Sequence, residues 1–311
     1  MEFFRKTPNI AFMQNRVWCY CISAVLILGS IILLAVRGLN FGIEFTGGVV
    51  VEVGYAGSVD LDKARDAVEG AGFSDPIVQT VGSSREIMVK VMPEEGEDIN
   101  HLSDRIVTAL KAVDPSAQLR KTDVIHSQVG GELAEKGGLA LLFSMIGTLI
   151  YVGFRFEKKM ATGTVLAALH DPFVILGFFA LTQMTFDLAV LAAVLAVMGY
   201  SINDTVVVFD RVREVFQGMR KATPLEVVNA AVNQTLSRTL MTSFSTLFVV
   251  TSLYLVGGES LKGFSMAIIV GIVVGTFSSI FIAAALALDF KLKAVDLMPP
   301  QDKDSPVDAM P

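Results

Sequence analysis

Four ionisable side chains stand where almost nothing around them can ionise. Asp204 lies in GYSINDTVVVFDR, and the run from Leu188 to Phe209 carries no other charge. His170 and Asp171 interrupt the apolar run from Met160 to Phe186, in LHDPF. Arg238 opens the apolar run from Thr239 to Gly258. A charge near the centre of a bilayer costs at least about 2.5–3.5 kcal/mol even on insertion scales, so such a group is functional by default. A carboxylate kept from water can exchange protons at ordinary pH. A guanidinium stays charged, so it can tune a carboxylate without titrating itself. Asp204 and Arg238 are therefore the candidate proton-coupling pair. Asn203, Thr242 and Ser243 are supporting polar groups, with His170 and Asp171 as a second polar pair. Each has a plainer reading. Asp204 could snorkel to water, Arg238 could anchor a helix end, and His170–Asp171 could be a structural lock ahead of a kink at Pro172.

The elements that must hold these residues can be read between the charges. Arg16 and Arg37 bracket Val17 to Val36, twenty residues without a charge. Further runs cover Gly137 to Arg155, Met160 to Thr182, Leu188 to Phe209, Arg238 to Gly258 and Gly263 to Leu288. About 20 apolar residues make a helix that crosses the hydrocarbon core. The expectation is a polytopic α-helical membrane protein with six transmembrane helices. The first run is longer than the apolar region of a signal peptide and lacks a clean cleavage pattern, so it reads as a retained span. Residues 1–16, with Phe3, Phe4, Ile10 and Phe12 among Arg5, Lys6 and Arg16, read as an amphipathic interfacial segment. Lys and Arg concentrate near the N-terminus, at 155–159, at 210–221 and after residue 288, which puts both termini in the cytoplasm. In the last span Gly263, Gly271, Gly275 and Ser279 recur on one side and suit close helix packing. Thr242, Ser243, Ser245 and Thr246 face them as candidate cross-bundle hydrogen bonders.

Residues 37–136 form the one long interruption. They carry 10 Lys/Arg and 17 Asp/Glu, a net −7. Strand patterns at Gly48–Tyr55, Pro76–Val81, Glu86–Met92 and Ala117–Ile125 alternate with helical patterns at Leu61–Ala71 and Ile99–Val113. The inward faces are Leu61, Ala64, Val68 and Ala71, then Leu102, Ile106, Ala109 and Val113. The order βαββαβ predicts a small ferredoxin-like α+β domain, and the Lys/Arg distribution puts it on the external side. His101 and His126 are isolated and read as ordinary surface histidines. Cys19 and Cys21 read as small buried hydrophobes, pointing to different sides of one helix. The tail after Leu297 reads as disordered.

The chain as a whole has 311 residues, 52% of them hydrophobic, and a net charge of −6. Its mean hydropathy is +0.58. An acidic chain lacks the basic surface that nucleic acid requires. The composition leans away from a soluble enzyme, residues 37–136 show no nucleophile–base constellation, and the expectation is no metal and no cofactor.

Four motifs carry a resemblance: GIEFTGG (Gly42–Gly48), YSINDTVVVFDRVRE (Tyr200–Glu214), NQTLSRTLMTSFSTL (Asn233–Leu247) and GIVVGTFSSIFIA (Gly271–Ala283). Together with one helix, an external domain and five more helices, they resemble the SecF branch of the SecD/SecF family, within the RND superfamily. The resemblance implies a six-helix half that pairs with a homologous half, SecD, beside SecYEG in the bacterial inner membrane. YajC and YidC are further implied neighbours. It implies use of proton-motive force to assist late, periplasmic steps of preprotein translocation, acting on unfolded chains. It assigns the proton roles to Asp204 and Arg238, and a hinge to Gly42, Glu44, Gly47 and Gly48. Two positions depart from the family pattern: Glu44 stands where Asp is usual, and Pro172 follows His170–Asp171 where an aliphatic residue is common. Rival readings are an RND-type exporter of small molecules or lipids, and a structural stabiliser of SecD with no proton role. An intramembrane aspartyl protease would need two carboxylates sharing a proton, and its sequence signatures are missing.

Overall fold

The computed structural model describes residues 8–73, 76–92, 99–125, 127–219 and 222–291. Ten α-helices appear among these residues: α1 (Arg16–Val36), α2 (Ile43–Thr46), α3 (Leu61–Gly70), α4 (Ile99–Val113), α5 (Ser127–Arg155), α6 (Lys158–Thr182), α7 (Leu188–Gly218), α8 (Pro224–Val256), α9 (Glu259–Phe277) and α10 (Ala284–Asp289). A π-helical turn, Ser278–Ala283, joins α9 to α10. Four strands, β1 (Gly48–Gly54), β2 (Ile77–Val81), β3 (Ser83–Val91) and β4 (Gln118–Ile125), complete the chain.

Six helical stretches are long and apolar enough to cross a membrane. A segment in lipid must satisfy its own backbone polar groups, which is why these runs are helical. α6, α7 and α9, with the π turn and α10, form the inner layer. α1, α5 and α8 lie outside and expose apolar side chains such as Trp18, Phe143, Phe244 and Phe248. Small residues set the inner spacing. A Cβ added at Gly271 would meet the Val197 side chain at 2.4 Å, and one at Gly163 would meet the Ala283 carbonyl oxygen at 2.8 Å. α6 runs through Pro172 as a single helix, so the proline does not divide it.

The soluble segment folds as β1–α3–β2–β3–α4–β4, with sheet order β2-β3-β1-β4 and every neighbouring pair antiparallel. That is the ferredoxin-like arrangement. Val49, Val51 and Val53 of β1 pair with Val91, Val89 and Ile87 of β3 and bury the face that receives the helices. From α3 come Ala64 and Val68, with Leu61 and Ala71 partly buried. From α4 come Leu102, Ile106 and Leu110. Val113, expected inward, is exposed. At 100° per residue position 113 falls on the same stripe as 102, 106 and 110, but Val113 is the last residue of α4, at the end of the helix.

Several expected boundaries shift for one reason: charges end a membrane span without ending a helix. α7 continues past Asp210 to Gly218, and α8 starts at Pro224 rather than near Arg238. Thr223 and Glu226 form a reciprocal cap there, with Pro224 in the first turn. The segment 210–237, expected as a loop or helix, is helical at 210–218 and 224–237. α5 starts ten residues before Gly137. Glu132 and Lys136 pair one turn apart on its surface. Cys19 is buried but Cys21 is exposed, correcting the expectation for the second cysteine. At i,i+2 one of the two must face outward. Of the N-terminal segment, residues 1–7 lie outside the described residues. Phe12 and Met13 do not rest on an interface but pack into the helix bundle. His126 and the tail from 292 onward also lie outside the described residues.

Candidate functional site

Asp204 is the seventeenth residue of α7, and only 4% of its surface is exposed. Its Oδ2 is buried with no hydrogen-bond partner. Arg238 does not contact it. The guanidinium acts on Asp204 across a gap, through Coulombic attraction, and its own side chain is exposed on the outer face of α8. The two expected partners are therefore near one another but not ion-paired among the described residues.

The other expected polar groups divide. Asn203 is exposed, while its neighbour Asp204 is buried. One residue along a helix is a rotation of about 100°, which turns it out of the site. Thr242 bonds back to the carbonyls of Arg238 and Thr239 on its own helix. Ser245 and Thr246 likewise bond to the Thr242 carbonyl. Only Ser243 reaches across, to Thr276 Oγ1 at 2.7 Å, and it accepts from the Tyr200 hydroxyl at 3.3 Å.

His170 and Asp171 sit in the inner layer, 3% and 0% exposed. His170 Nδ1 lies 3.0 Å from Asp171 Oδ1. Asp171 Oδ2 accepts from Ser278 Oγ at 2.9 Å, and Ser278 Oγ stands 3.4 Å from Ser201 Oγ. A Cβ at Gly275 would lie 3.2 Å from Ser201 Cβ and 3.4 Å from Asp171 Oδ2, so the glycine lets α9 close on the carboxylate. No hydrogen bond joins Asp171 to Asp204. A protease dyad sharing one proton is not formed.

The glycine motif is tied to the bundle. Phe186, in the turn between α6 and α7, donates its N–H to the Asn40 carbonyl (2.8 Å) and accepts from the Gly42 N–H (2.9 Å). Gln183, at positive φ, donates to the Gly38 carbonyl, and the Asn40 side chain returns a bond to the Gln183 carbonyl. Phe41, Phe45, Phe179 and Phe186 stack edge-to-face or tilted around this seam. The next residue, Asp187, caps α7 by accepting from the Val190 N–H at 2.7 Å. Gly47 and Gly48 both have positive φ and turn the chain from α2 into β1. Glu44 caps nothing by side-chain hydrogen bond. Lys90 of β3 donates to the Phe41 carbonyl at 2.7 Å. Burial holds the Lys90 ammonium below the usual lysine range, and the charge of Glu44 opposes that shift.

The comparisons with known proteins follow this geometry. Residues 105–293 match the family model described as protein export membrane protein SecD/SecF, C-terminal, and residues 32–59 match the SecD/SecF GG motif. The chain belongs to the SecD/SecF family. It is 44% identical over 301 residues to the protein translocase subunit SecF of Vibrio alginolyticus, covering 96% of each chain. It is 43% identical to that of Pseudomonas aeruginosa, covering 96% of this chain and 97% of the relative. Among solved structures it resembles SecDF of Thermus thermophilus, described as a translocon-associated membrane protein, at 32% identity and a TM-score of 0.84. That match covers 94% of this chain but only 40% of the SecDF chain, so this chain spans less than half of that protein. The resemblance drawn from the four sequence motifs agrees with these relatives.

Set on this SecD/SecF framework, the two matched regions meet in space. The GG motif and the start of α5 touch: a Cβ at Gly130 would lie 2.8 Å from the Gly47 nitrogen. Sequence reasoning missed Ser201 and Ser278, although both lie inside motifs already singled out. Hydroxyls are common in apolar helices, and only the crossing of α9 on α7 selects these two. It also missed Asn229 and Asn233 of α8. Asn233 accepts from the Ile10 N–H and donates to the Ile10 carbonyl, both at 2.8 Å. Asn229 adds bonds to the Ile10 carbonyl and the Met13 N–H. The signal was available as two amides one helical turn apart.

Proposed function

We propose that the chain is the SecF half of a SecDF complex in the bacterial inner membrane, with both termini cytoplasmic and the α+β domain periplasmic. It pairs with SecD beside SecYEG, with YajC and YidC as neighbours, and draws on proton-motive force to assist late steps of preprotein translocation. Protons and the membrane potential are the energy source, and no cofactor takes part. The observation that carries this reading is the buried, unpartnered Oδ2 of Asp204 inside the apolar run of α7, toward the end nearer Asp210. Leaving such a group unmade is expensive, so its retention points to a proton that comes and goes.

Protonation neutralises Asp204 and removes its attraction to Arg238. The exposed outer face of α8, which carries Arg238, Phe244 and Phe248, is where the SecD half would pack. One charge crossing 100 mV releases about 2.3 kcal/mol, enough to bias a two-state bundle by more than tenfold. It is too little to unfold a cargo domain, so repeated strokes are required. The stitched seam from Phe186 to Gly42 passes the displacement to the periplasmic domain, with Gly47–Gly48 as the pivot.

The test is completion of preprotein translocation in membrane vesicles with and without a proton gradient. Asp204→Asn should remove the gradient-dependent part while the SecD complex still assembles, and Asp204→Glu should retain some of it. Wild-type gradient dependence in Asp204→Asn would leave only the structural reading, that of a SecD stabiliser.

A further inference from the structure

The bundle holds a second buried acid that the proposed mechanism does not use. Asp171 is fully buried and has two partners of different kinds, the imidazole of His170 and the hydroxyl of Ser278. The far nitrogen of His170, Nε2, is buried without a partner. Ser278 has two acceptors within reach but one proton to give: Asp171 Oδ2 at 2.9 Å and the Gly275 carbonyl at 3.1 Å. It is also the first residue of the π turn. π turns inside α-helices occur frequently at functional sites.

These observations define two hydrogen-bonding states. In one, Asp171 is ionised and accepts at Oδ1 from the Nδ1–H tautomer of His170 and at Oδ2 from Ser278. His170 Nε2 is then a bare lone pair, cheaper to bury than an orphaned N–H. With one proton added, an O–H bond forms on Oδ2, the local charge falls from −1 to zero, and no covalent bond breaks. The carboxylic acid donates to Ser278 Oγ, and Ser278 turns its own proton to the Gly275 carbonyl. The proton comes from water and returns to it.

We propose that Asp171 is a second proton-binding site of this protein, and that Ser278 is the positioning residue that reports its charge to the π turn between α9 and α10. This deepens the proton-coupled reading and rests on it for its energy source. Ser278 touches Ser201, which lies one helical turn before Asp204 on α7, so the two acids share one helix without sharing a hydrogen bond. The surroundings add little charge. α9 after Lys262, the π turn and α10 up to Leu288 hold no charged residue. α7 brings Tyr200 and Asp204, α1 brings Cys19 and Tyr20, α5 brings Tyr151, and α10 ends in Asp289, which pairs with Arg16 and Tyr20. None of these is hydrogen-bonded to the His170–Asp171–Ser278 cluster among the described residues.

The experiment is infrared difference spectroscopy of the purified full chain in lipid nanodiscs, stepping pH and following the carbonyl stretch of protonated carboxyl groups. Wild type, Asp204→Asn, Asp171→Asn, Ser278→Ala and Ser278→Thr are compared. Asp171→Asn should remove one band that Asp204→Asn leaves in place. Ser278→Ala should keep that band but displace its titration midpoint by about one pH unit or more, the weight of one hydrogen bond to a charged acceptor. Ser278→Thr should restore it. Identical band sets in Asp171→Asn and wild type overturn the proposal, as does an unmoved midpoint in Ser278→Ala, a variant that keeps the carboxylate should Asp171→Asn misfold. The Asp204 reading is judged separately by the loss or persistence of its own band.

Discussion

Gly130 and Gly131 are adjacent in the first turns of α5, and replacing each by alanine should have opposite effects. Around Gly131 a Cβ meets nothing within 4 Å. At Gly130 it would lie 2.8 Å from the Gly47 nitrogen, 3.0 Å from the Phe45 carbonyl oxygen and 3.1 Å from its carbon. Carbon prefers about 3.5–4.0 Å from such neighbours, so helix and turn must separate by roughly half an ångström or more. The obstacles are backbone atoms, which cannot rotate away. Overpacking of this kind costs about 1–3 kcal/mol, against a helix-propensity gain of at most about 1 kcal/mol that both variants share. The difference between them is thus about 1–3 kcal/mol, or roughly 5- to 150-fold in a local opening equilibrium. The Gly47 amide reports it directly, because its bond to the Ile43 carbonyl at 2.8 Å closes the turn that Gly130 supports. Hydrogen exchange of that amide in the full chain should be accelerated in Gly130→Ala and unchanged or slowed in Gly131→Ala. Equal exchange in the two variants would refute the packing argument and, with it, the claim that the glycine motif is held by α5.

Two further tests address other parts of the molecule. Asn233→Ala removes the acceptor of the Ile10 N–H and should speed amide exchange at Ile10 by about tenfold, one hydrogen bond's worth, more than at Met13, whose N–H is bonded to Asn229, while Asn233→Asp, which keeps the acceptor, should fall between. Tyr55 packs in the domain core, and burial followed by the nearby charge of Asp114 pushes its phenol up to about 12. A tyrosine raised on folding adds stability that is complete below its unfolded value of about 10 and disappears as pH climbs toward 12. Domain unfolding followed by circular dichroism should therefore show a loss over that window in wild type, and Tyr55→Phe should flatten it.

Lipid makes some features legible in sequence and hides others. Six spans could be read because each must be apolar over its whole length. The βαββαβ order could be read because a two-layer domain alternates its periods. Helix ends could not be read from the same signal. Asp210 and Arg211 close the apolar run of α7, yet Arg155 pairs with Asp210 at 2.6 Å and Arg211 with Glu214 along the same helix, so the helix simply continues into a charged medium. Facing was also hidden. Asn203 and Asp204 are neighbours in a motif of polar residues, but a step of one residue put the first outside and the second inside. Ser201 and Ser278 could not be paired before the approach of α9 was known, because a serine in an apolar run most often bonds to its own helix, as Ser245 and Ser252 do here.

The same packing supplies the connection between domain and bundle that the proposed mechanism needs. α7 is unbroken from its Asp187 cap through Asp204, 17 residues, a rod of about 25 Å. Pro172 lies in α6, outside this rod. Phe186, at the end of that rod, is bonded on both sides to the strand-like segment Asn40–Gly42. A loose glycine linker would dissipate a displacement of α7. Here the linker is hydrogen-bonded to the bundle up to Gly42 and turns into β1 through Gly47 and Gly48, the path by which the proposed mechanism would carry a displacement of α7 to the sheet. Glycine at 47 and 48 is therefore required by positive φ at the pivot, whereas glycine at 42 is required by closeness, since a Cβ there would fall 3.2 Å from the Asp187 Cβ. One motif thus combines a close contact at Gly42 with a positive-φ turn at Gly47–Gly48, and the close contact is to Asp187, the cap of the helix that carries the buried acid.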